Sequence, residues 1–363
     1  MKTLARKAVK KVLRFLPLGL EEQIQFNRLG RKPPDLMWKA CTRCRIKRTE
    51  PGGRKIGHQY FLIGGYHTLD CVLSVVDVFD LNRRQWTGRI PMPDDMPQTH
   101  LGIAGDDIRY IYTVGGQLGT QCHPCVADCF VLDTQKRTWG KLPSLPEPRY
   151  APTTQLWQGR LHALSGSKPD RCTPACDHWS IAVEKGKAVE DRWREEVPVP
   201  RGGPHRASAV FDDRLYVFGG MEGDVKPVAG DPQYTCDWGT PLETIYGDSF
   251  LLEHGTKHWK QVSPMPERRS HMEHAVLKIG RYAVLVGGME ERLKYCDLIQ
   301  VYDTQTDRWK TAGHLPYVMK TAAVHHDGWL YLVTGQRGTT ITDHRPGEVL
   351  SSVWRAKFDP AQA

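Results

Sequence analysis

Residues 214–220, RLYVFGG, join a short apolar run to a pair of glycines, and related stretches recur along the chain. The other five are QYFLIGG (59–65), YIYTVGG (110–116), RLHALSG (160–166), YAVLVGG (282–288) and WLYLVTG (329–335). Serine or threonine replaces the first glycine in the stretches at 160–166 and 329–335, and we call all six endings glycine pairs. Their final glycines are separated by 51, 50, 54, 68 and 47 residues. A period near 50 residues, with a buried strand ending in glycine, is typical of the blades of a β-propeller.

A second marker follows four of the glycine pairs. In each case a tryptophan stands six positions after an acidic residue, in VFDLNRRQW (78–86), VLDTQKRTW (131–139), LLEHGTKHW (251–259) and VYDTQTDRW (301–309). This pattern indicates a third strand, a turn and a fourth strand that opens with a large aromatic side chain. The sequence therefore predicts an all-β protein with six four-stranded antiparallel blades.

The sixth glycine pair is not followed by such a tryptophan before the chain stops. Trp38, however, precedes Gly65 by 27 residues, a distance close to that between the other tryptophans and the next glycine pair. We therefore predict that an N-terminal strand near Trp38 is the outer strand of the last blade. Closing the ring with both ends of the chain removes open sheet edges.

Several longer stretches carry a more specific resemblance. They are residues 131–171, DHWSIAV (177–183), residues 200–224 and SVWRAKF (352–358). Through them the chain resembles plant-type kelch-repeat proteins of the galactose oxidase/kelch superfamily over roughly residues 36–359. The resemblance implies a six-bladed kelch propeller, and an N-terminal membrane anchor with a Golgi or endomembrane association.

The positive charge is concentrated at the N-terminus. Positions 1–56 hold 16 Lys and Arg against 4 Asp and Glu, and the rest of the chain holds 34 against 37. Residues 1–16 alternate apolar and basic positions at helical spacing, which indicates a targeting segment, a helix on an anionic membrane surface or a disordered basic tail. We expect a basic arm at residues 1–35, a propeller at residues 36–363 and no nucleic acid at the propeller. No stretch approaches the roughly 18 apolar residues of a membrane span.

The ten cysteines all fall in predicted loops at one end of the propeller. CTRC (41–44) and CHPC (122–125) have the spacing of zinc-binding pairs, but a metal site needs further ligands from another blade. Free thiols, local disulfides and a zinc site therefore stay open, with free thiols favoured. The Tyr and His set of a galactose-oxidase copper centre cannot be placed in register, and we expect no cofactor.

Cationic and histidine side chains recur just before the first strand of five consecutive blades. They are His100, Arg149 with Tyr150, His205 with Arg206, Arg269 with His271, and Lys320. The repeat register brings these residues to one end of the axis, where a cationic ring would bind an anionic ligand. Pairing with acids at strand ends, such as Asp80, Asp133 and Asp303, is the structural alternative.

An insertion after Gly220 lengthens one interval to 68 residues and predicts a long loop on the same face. The sequence favours a non-catalytic module whose loop face binds a partner protein or an acidic carbohydrate. The alternative is a carbohydrate-active enzyme of the sialic-acid mutarotase type, which needs only an acid/base pair and a cationic anchor. A monomer is expected, in the cytoplasm, an organelle or the endomembrane system.

Overall fold

The computed structural model describes residues 36–120, 123, 125–228, 236–241, 244–291, 294–339 and 346–363. The predicted basic arm at residues 1–35 lies outside the described residues. The described chain forms six antiparallel sheets in a ring, one for each glycine pair, and the predicted all-β, six-bladed propeller is confirmed. No helix in this part of the chain is long and apolar enough to span a bilayer.

The first three blades follow one another along the chain. Blade 1 consists of Gly52–Ile56, Gln59–Ile63, Val75–Asp80 and Gln85–Pro91. Blade 2 consists of Gly102–Gly105, Tyr110–Val114, Cys129–Asp133 and Thr138–Leu142. Blade 3 consists of Thr153–Trp157, Arg160–Leu164 and His178–Glu184, with two short outer strands, Lys187–Ala188 and Arg194–Glu195.

The other three blades complete the ring. Blade 4 consists of Ala207–Phe211, Arg214–Phe218, Ser249–Glu253 and Lys260–Val262. Blade 5 consists of Val276–Ile279, Tyr282–Val286, Leu298–Asp303 and Arg308–His314. Blade 6 consists of Met319–His326, Trp329–Gly338, Pro346–Lys357 and the N-terminal strand Lys39–Arg43. Short hairpins in the loops pair Tyr66–Thr68 with Cys71–Val72, Val225–Pro227 with Cys236–Pro241, and Met289–Glu290 with Lys294–Tyr295.

The predicted closure through Trp38 is confirmed. The strand that follows Trp38 pairs antiparallel with Pro346–Lys357, with Lys39 opposite Arg355. The indole N–H of Trp38 donates to the carbonyl of His314 in blade 5, at 2.8 Å. The same bond to the preceding blade is made by Trp139, Trp193, Trp259 and Trp309. Trp38 is thus the structural equivalent, in blade 6, of the tryptophans in the other blades.

The apolar core is divided among the interfaces between blades. Leu62 and Phe79 of blade 1, for example, pack with Tyr331 and Val353 of blade 6. Similar clusters lie at the other five interfaces. Each blade therefore depends on both neighbours to bury its apolar surface, as expected of a repeat fold.

Two sets of loops meet at one end of the ring, which we call the loop face. One set joins the second and third strands of a blade, and the other set, the linkers, joins one blade to the next. Isolated backbone bridges connect them, for example between Thr49 and Tyr66 and between Thr99 and Gln117. The glycine pairs allow this close packing: a Cβ on Gly64, where φ is +58°, would lie 2.0 Å from the carbonyl oxygen of Gln98.

Candidate functional site

The linkers bring one polar side chain each to the propeller axis at the loop face. We call these six residues the axial cluster: Glu50, His100, Tyr150, His205, His271 and Lys320. Four of them have a left-handed backbone, with φ of 52° at Glu50, 54° at His100, 59° at His205 and 58° at His271. A left-handed conformation is costly for these residue types, so its recurrence in four linkers shows that the packing imposes it.

The side chains of the axial cluster contact one another across the axis. The rings of His205 and His271 are stacked at 3.7 Å between centroids, and those of His100 and Tyr150 lie 4.4 Å apart. His100 also contacts His205, at 5.5 Å between ring centroids. Since His100 is 5% exposed and Tyr150 and His205 are 0% exposed, the cluster fills the axis at this end.

Glu50 joins two members of the axial cluster. Its carboxylate forms an ion pair with Lys320 and accepts from Nε2 of His100 at 2.7 Å. Burial favours the neutral acid, but the charges of Lys320 and His100 hold the pKa of Glu50 well below its usual value. The carboxylate is therefore ionised, and it balances the charge of Lys320.

Two further acids balance the other side of the cluster. Oε1 of Glu273 lies 2.7 Å from Nδ1 of His205. Asp224 accepts from the hydroxyl of Tyr150 at 2.9 Å and forms an ion pair with Arg171. Burial favours neutral His205, yet the charge of Glu273 raises the pKa of this histidine. The pKa of His271 is well below its usual value because of burial and of its cationic neighbours His205 and Lys320.

Three predicted ring residues do not reach the axis. Arg149, from the linker between blades 2 and 3, is buried 3.0 Å from Asp177 and over Trp179 at 4.5 Å, both of blade 3. Arg206 forms an ion pair with Asp248. Arg269 donates to the carbonyls of Gly287 and Leu298 at 3.0 and 2.9 Å. With Arg48, which pairs with Asp77, we call these four residues the inter-blade arginines.

The structure thus brings five of the eight predicted ring residues together, namely His100, Tyr150, His205, His271 and Lys320. Anion binding by the ring stays a prediction. The acids proposed in the structural alternative pair elsewhere: Asp133 with Arg109 at 2.6 Å, Asp303 with Arg281 at 2.9 Å and Asp80 with His58 at 3.7 Å.

Sequence reasoning missed the acids of this site. Glu50 precedes Gly65, the last glycine of the first pair, by 15 residues, and His205 precedes Gly220 by the same distance. Extending the register to the first blade would therefore have found Glu50. Asp224 lies near the start of the insertion of blade 4 and Glu273 lies two residues after His271, so no repeat marker points to either.

The cysteines carry no assignable site. Seven of the described cysteines are free thiols, namely Cys41, Cys44, Cys71, Cys125, Cys129, Cys176 and Cys296. Burial raises the pKa of Cys125 and of Cys129 to about 12, so these two thiols are unreactive. Within the described ranges, no group of three His, Cys, Asp or Glu side chains is placed to hold a metal ion. Cys122 and the side chain of Cys236 lie outside the described residues.

The fold and its polar axis define a six-bladed β-propeller with a filled loop end, and comparisons identify its family. Residues 54–264 match the KLHDC2/KLHL20/DRC7 kelch-repeats domain. A kelch repeat-containing protein of Arabidopsis thaliana is 42% identical over 332 residues, which cover 90% of this chain and 77% of the relative. The chain belongs to the kelch-repeat family.

More distant proteins share parts of the repeat. Alpha-scruin of Limulus polyphemus is 26% identical over 44% of this chain and 16% of its own length. Mouse Kelch-like protein 35 is 26% identical over 79% of this chain and 42% of its own length. The solved structure of YjhT matches with a TM-score of 0.64 and 11% identity, over 86% of this chain and 96% of that one. This last likeness supports the fold alone.

Proposed function

We propose that this protein is a non-catalytic scaffold whose loop face binds a partner protein. Kelch-repeat propellers are typically protein-interaction scaffolds, and this chain belongs to that family. The observation that carries the proposal is the filled axis. The cavity beside Glu50, His271 and Lys320 has a volume of about 20 Å³. This space holds about one water molecule, so the described residues at the axis of the loop end leave no room there for a larger ligand.

The charges of the axial cluster favour the same conclusion. Lys320 and His100 already contact Glu50, so an acidic ligand would have to compete with that carboxylate. Binding of an acidic carbohydrate at the loop face is therefore less well supported than binding of a protein. No observation favours the alternative of a mutarotase-type enzyme.

Backbone hydrogen bonds brace the described parts of the loop face. Backbone bridges tie the loops to the linkers, which reduces the entropy lost on binding. Among the described residues, the exposed large apolar side chains on this face include Leu69, 54% exposed in the loop of blade 1, and Val228, 46% exposed in the insertion of blade 4. Apolar residues of this kind supply contact area in the core of an interface.

Site-specific photo-crosslinking in cells tests the proposal. A photoreactive residue at Leu69 or at Val228 is expected to give the same crosslinked partner, identified by mass spectrometry. The matched control is Ile108, which is 76% exposed on a turn at the opposite end of the propeller. The purified partner should then bind the wild type, and Leu69→Asp should weaken this binding about tenfold or more. Equal crosslinking from Ile108, or binding unaffected by Leu69→Asp, would contradict the proposal.

A further inference from the structure

The propeller contains a channel that opens on the face opposite the loops. Its volume is about 860 Å³, within the range of ligand-binding cavities. The lining includes residues of all six inner strands and the turns at Gly57, Asp106 and Gly280, and the axial cluster fills the axis at the other end. Among the described residues, the channel is therefore closed at the loop end and open at the other end.

The walls of the channel are rich in hydrogen-bonding groups. Each inner strand is the edge strand of its sheet, so one row of its backbone N–H and C=O groups has no strand partner. Side chains add Gln155 and Ser208, which lie on neighbouring blades and bond to each other at 3.0 Å. Such a wall suits a ligand with many hydroxyl groups.

Polar atoms without a protein partner lie at the blind end. Oε2 of Glu273 and Oγ1 of Thr154 are buried and make no hydrogen bond within the described residues. Both residues line the channel, and Thr154 is 4% exposed. His274 lies beside Glu273, lines the same space and has no side-chain hydrogen bond to a described residue. A buried polar atom of this kind is costly unless a ligand or water satisfies it.

Three basic residues, Arg54, Lys55 and Lys278, line the channel near its mouth. Arg54 is neutralised by Asp107 at 2.8 Å. Lys55 donates to the carbonyl of His325 at 3.0 Å, and Lys278 lies over the ring of Phe211 at 5.3 Å, so both lysines keep donors for an acid. Of the two acids that line the channel near its mouth, Asp107 is paired with Arg54 and the carboxylate of Asp106 accepts from backbone N–H groups.

The size of the channel selects among polyhydroxylated acids. Its volume of about 860 Å³ is several times that of one sugar ring, and its wall runs from the turn at Glu273 and His274 into the strand Val276–Ile279, which carries Lys278. A single sugar ring would therefore fill only part of the channel. We propose that the channel binds a short acidic oligosaccharide, with hydroxyl groups at Glu273, His274 and Thr154 and an acid group at Lys55 and Lys278.

Isothermal titration of the full chain with three probes tests this site. Trigalacturonic acid is expected to bind at least tenfold more tightly than maltotriose, its neutral counterpart, and than monomeric galacturonic acid. Added salt should weaken the binding of trigalacturonic acid but not that of maltotriose. Equal affinity for the acidic and neutral trimers, or no binding of either, would overturn the proposal.

Variants locate the binding site. His274→Leu should weaken trigalacturonic acid about tenfold, and Thr154→Val tests the same end if the first variant does not fold. Lys278→Gln should weaken it about threefold, because an exposed lysine contributes less. Lys136→Gln, at an exposed turn of blade 2 outside the channel lining, is the matched control and should change nothing. Unchanged binding in the folded variants of both ends would place the ligand elsewhere and overturn the proposal.

Discussion

The axial cluster and the inter-blade arginines come from the same linkers but serve different parts of the fold. Arg48 and Arg269 each stand two residues before a left-handed residue, Glu50 and His271. The left-handed residue faces the axis, whereas the arginine is buried against the blade that follows and bonds to its acids or carbonyls. Neighbours in sequence therefore do not share a surface when the backbone turns sharply between them.

Both regions depend on closure of the ring, and deleting residues 1–45 should break both. The deletion removes Lys39–Arg43 and leaves Pro346–Lys357 as an open edge. We expect loss of soluble monomer in size-exclusion chromatography. Deletion of residues 1–20 keeps the strand and should give a monomer. A stable monomer of residues 46–363 would show that neither region needs the N-terminal strand.

The inter-blade arginines should be important for stability. Arg206→Ala leaves Asp248 without its buried partner, and we expect the free energy of unfolding to fall by about 3–5 kcal/mol. Arg201→Ala is the matched control, because Arg201 contacts the same carboxylate at 3.1 Å but is 51% exposed. This second change should cost less than about 1 kcal/mol. If urea denaturation showed equal losses of the free energy of unfolding in Arg206→Ala and Arg201→Ala, burial of the arginine would not determine its contribution to stability.

The axial cluster should show coupling between its charges. Glu50→Gln leaves Lys320 buried without its counter-ion, and we expect a loss of about 2–3 kcal/mol in the free energy of unfolding. Adding Lys320→Met removes the uncompensated charge, and the double variant should recover at least half of the lost free energy of unfolding. Additive losses in the double variant, measured by urea denaturation, would show that the two side chains do not act as a pair.

The stability contributed by the axial cluster should depend on pH, whereas that contributed by the inter-blade arginines should not. His271 is neutral in the folded protein because its pKa is well below the usual 6.5, so the unfolded chain binds a proton more readily as pH falls. Its contribution to stability is therefore lost below about pH 6.5, by up to about 1.4 kcal/mol per pH unit. His205 has a raised pKa and acts in the opposite sense, since its contribution is lost as pH rises above about 6.5.

Urea denaturation between pH 4.5 and 7.5 measures this difference. His271→Gln should flatten the dependence of the free energy of unfolding on pH below 6.5. Arg269→Gln should lower stability by a similar amount at every pH, because an arginine stays charged throughout. His258→Gln changes an exposed histidine and serves as the control. A steeper slope in His271→Gln would show that this histidine is protonated in the folded cluster.

Much of the architecture could be predicted because its markers are local. Strand burial, turn residues and the opening tryptophan lie within about 30 residues of each glycine pair, and the distance from Trp38 to Gly65 was enough to locate the closing strand. The candidate site was harder to predict. Spacing placed His100, His205 and Lys320 near the axis, but it could not separate them from Arg149, Arg206 and Arg269, which differ from their neighbours only in the direction of the side chain.

The sequence by itself determined the number of blades, their strand order and the closure of the ring, because a repeated apolar pattern specifies the same buried strands in each blade. Only the tertiary structure decided which charged side chains form pairs. Glu50, Glu273 and Asp224 come from three separate segments, and each meets its partners only when the six linkers converge. Left-handed backbone and burial are properties of that packing, and they turn a predicted cationic ring into a neutralised axial cluster.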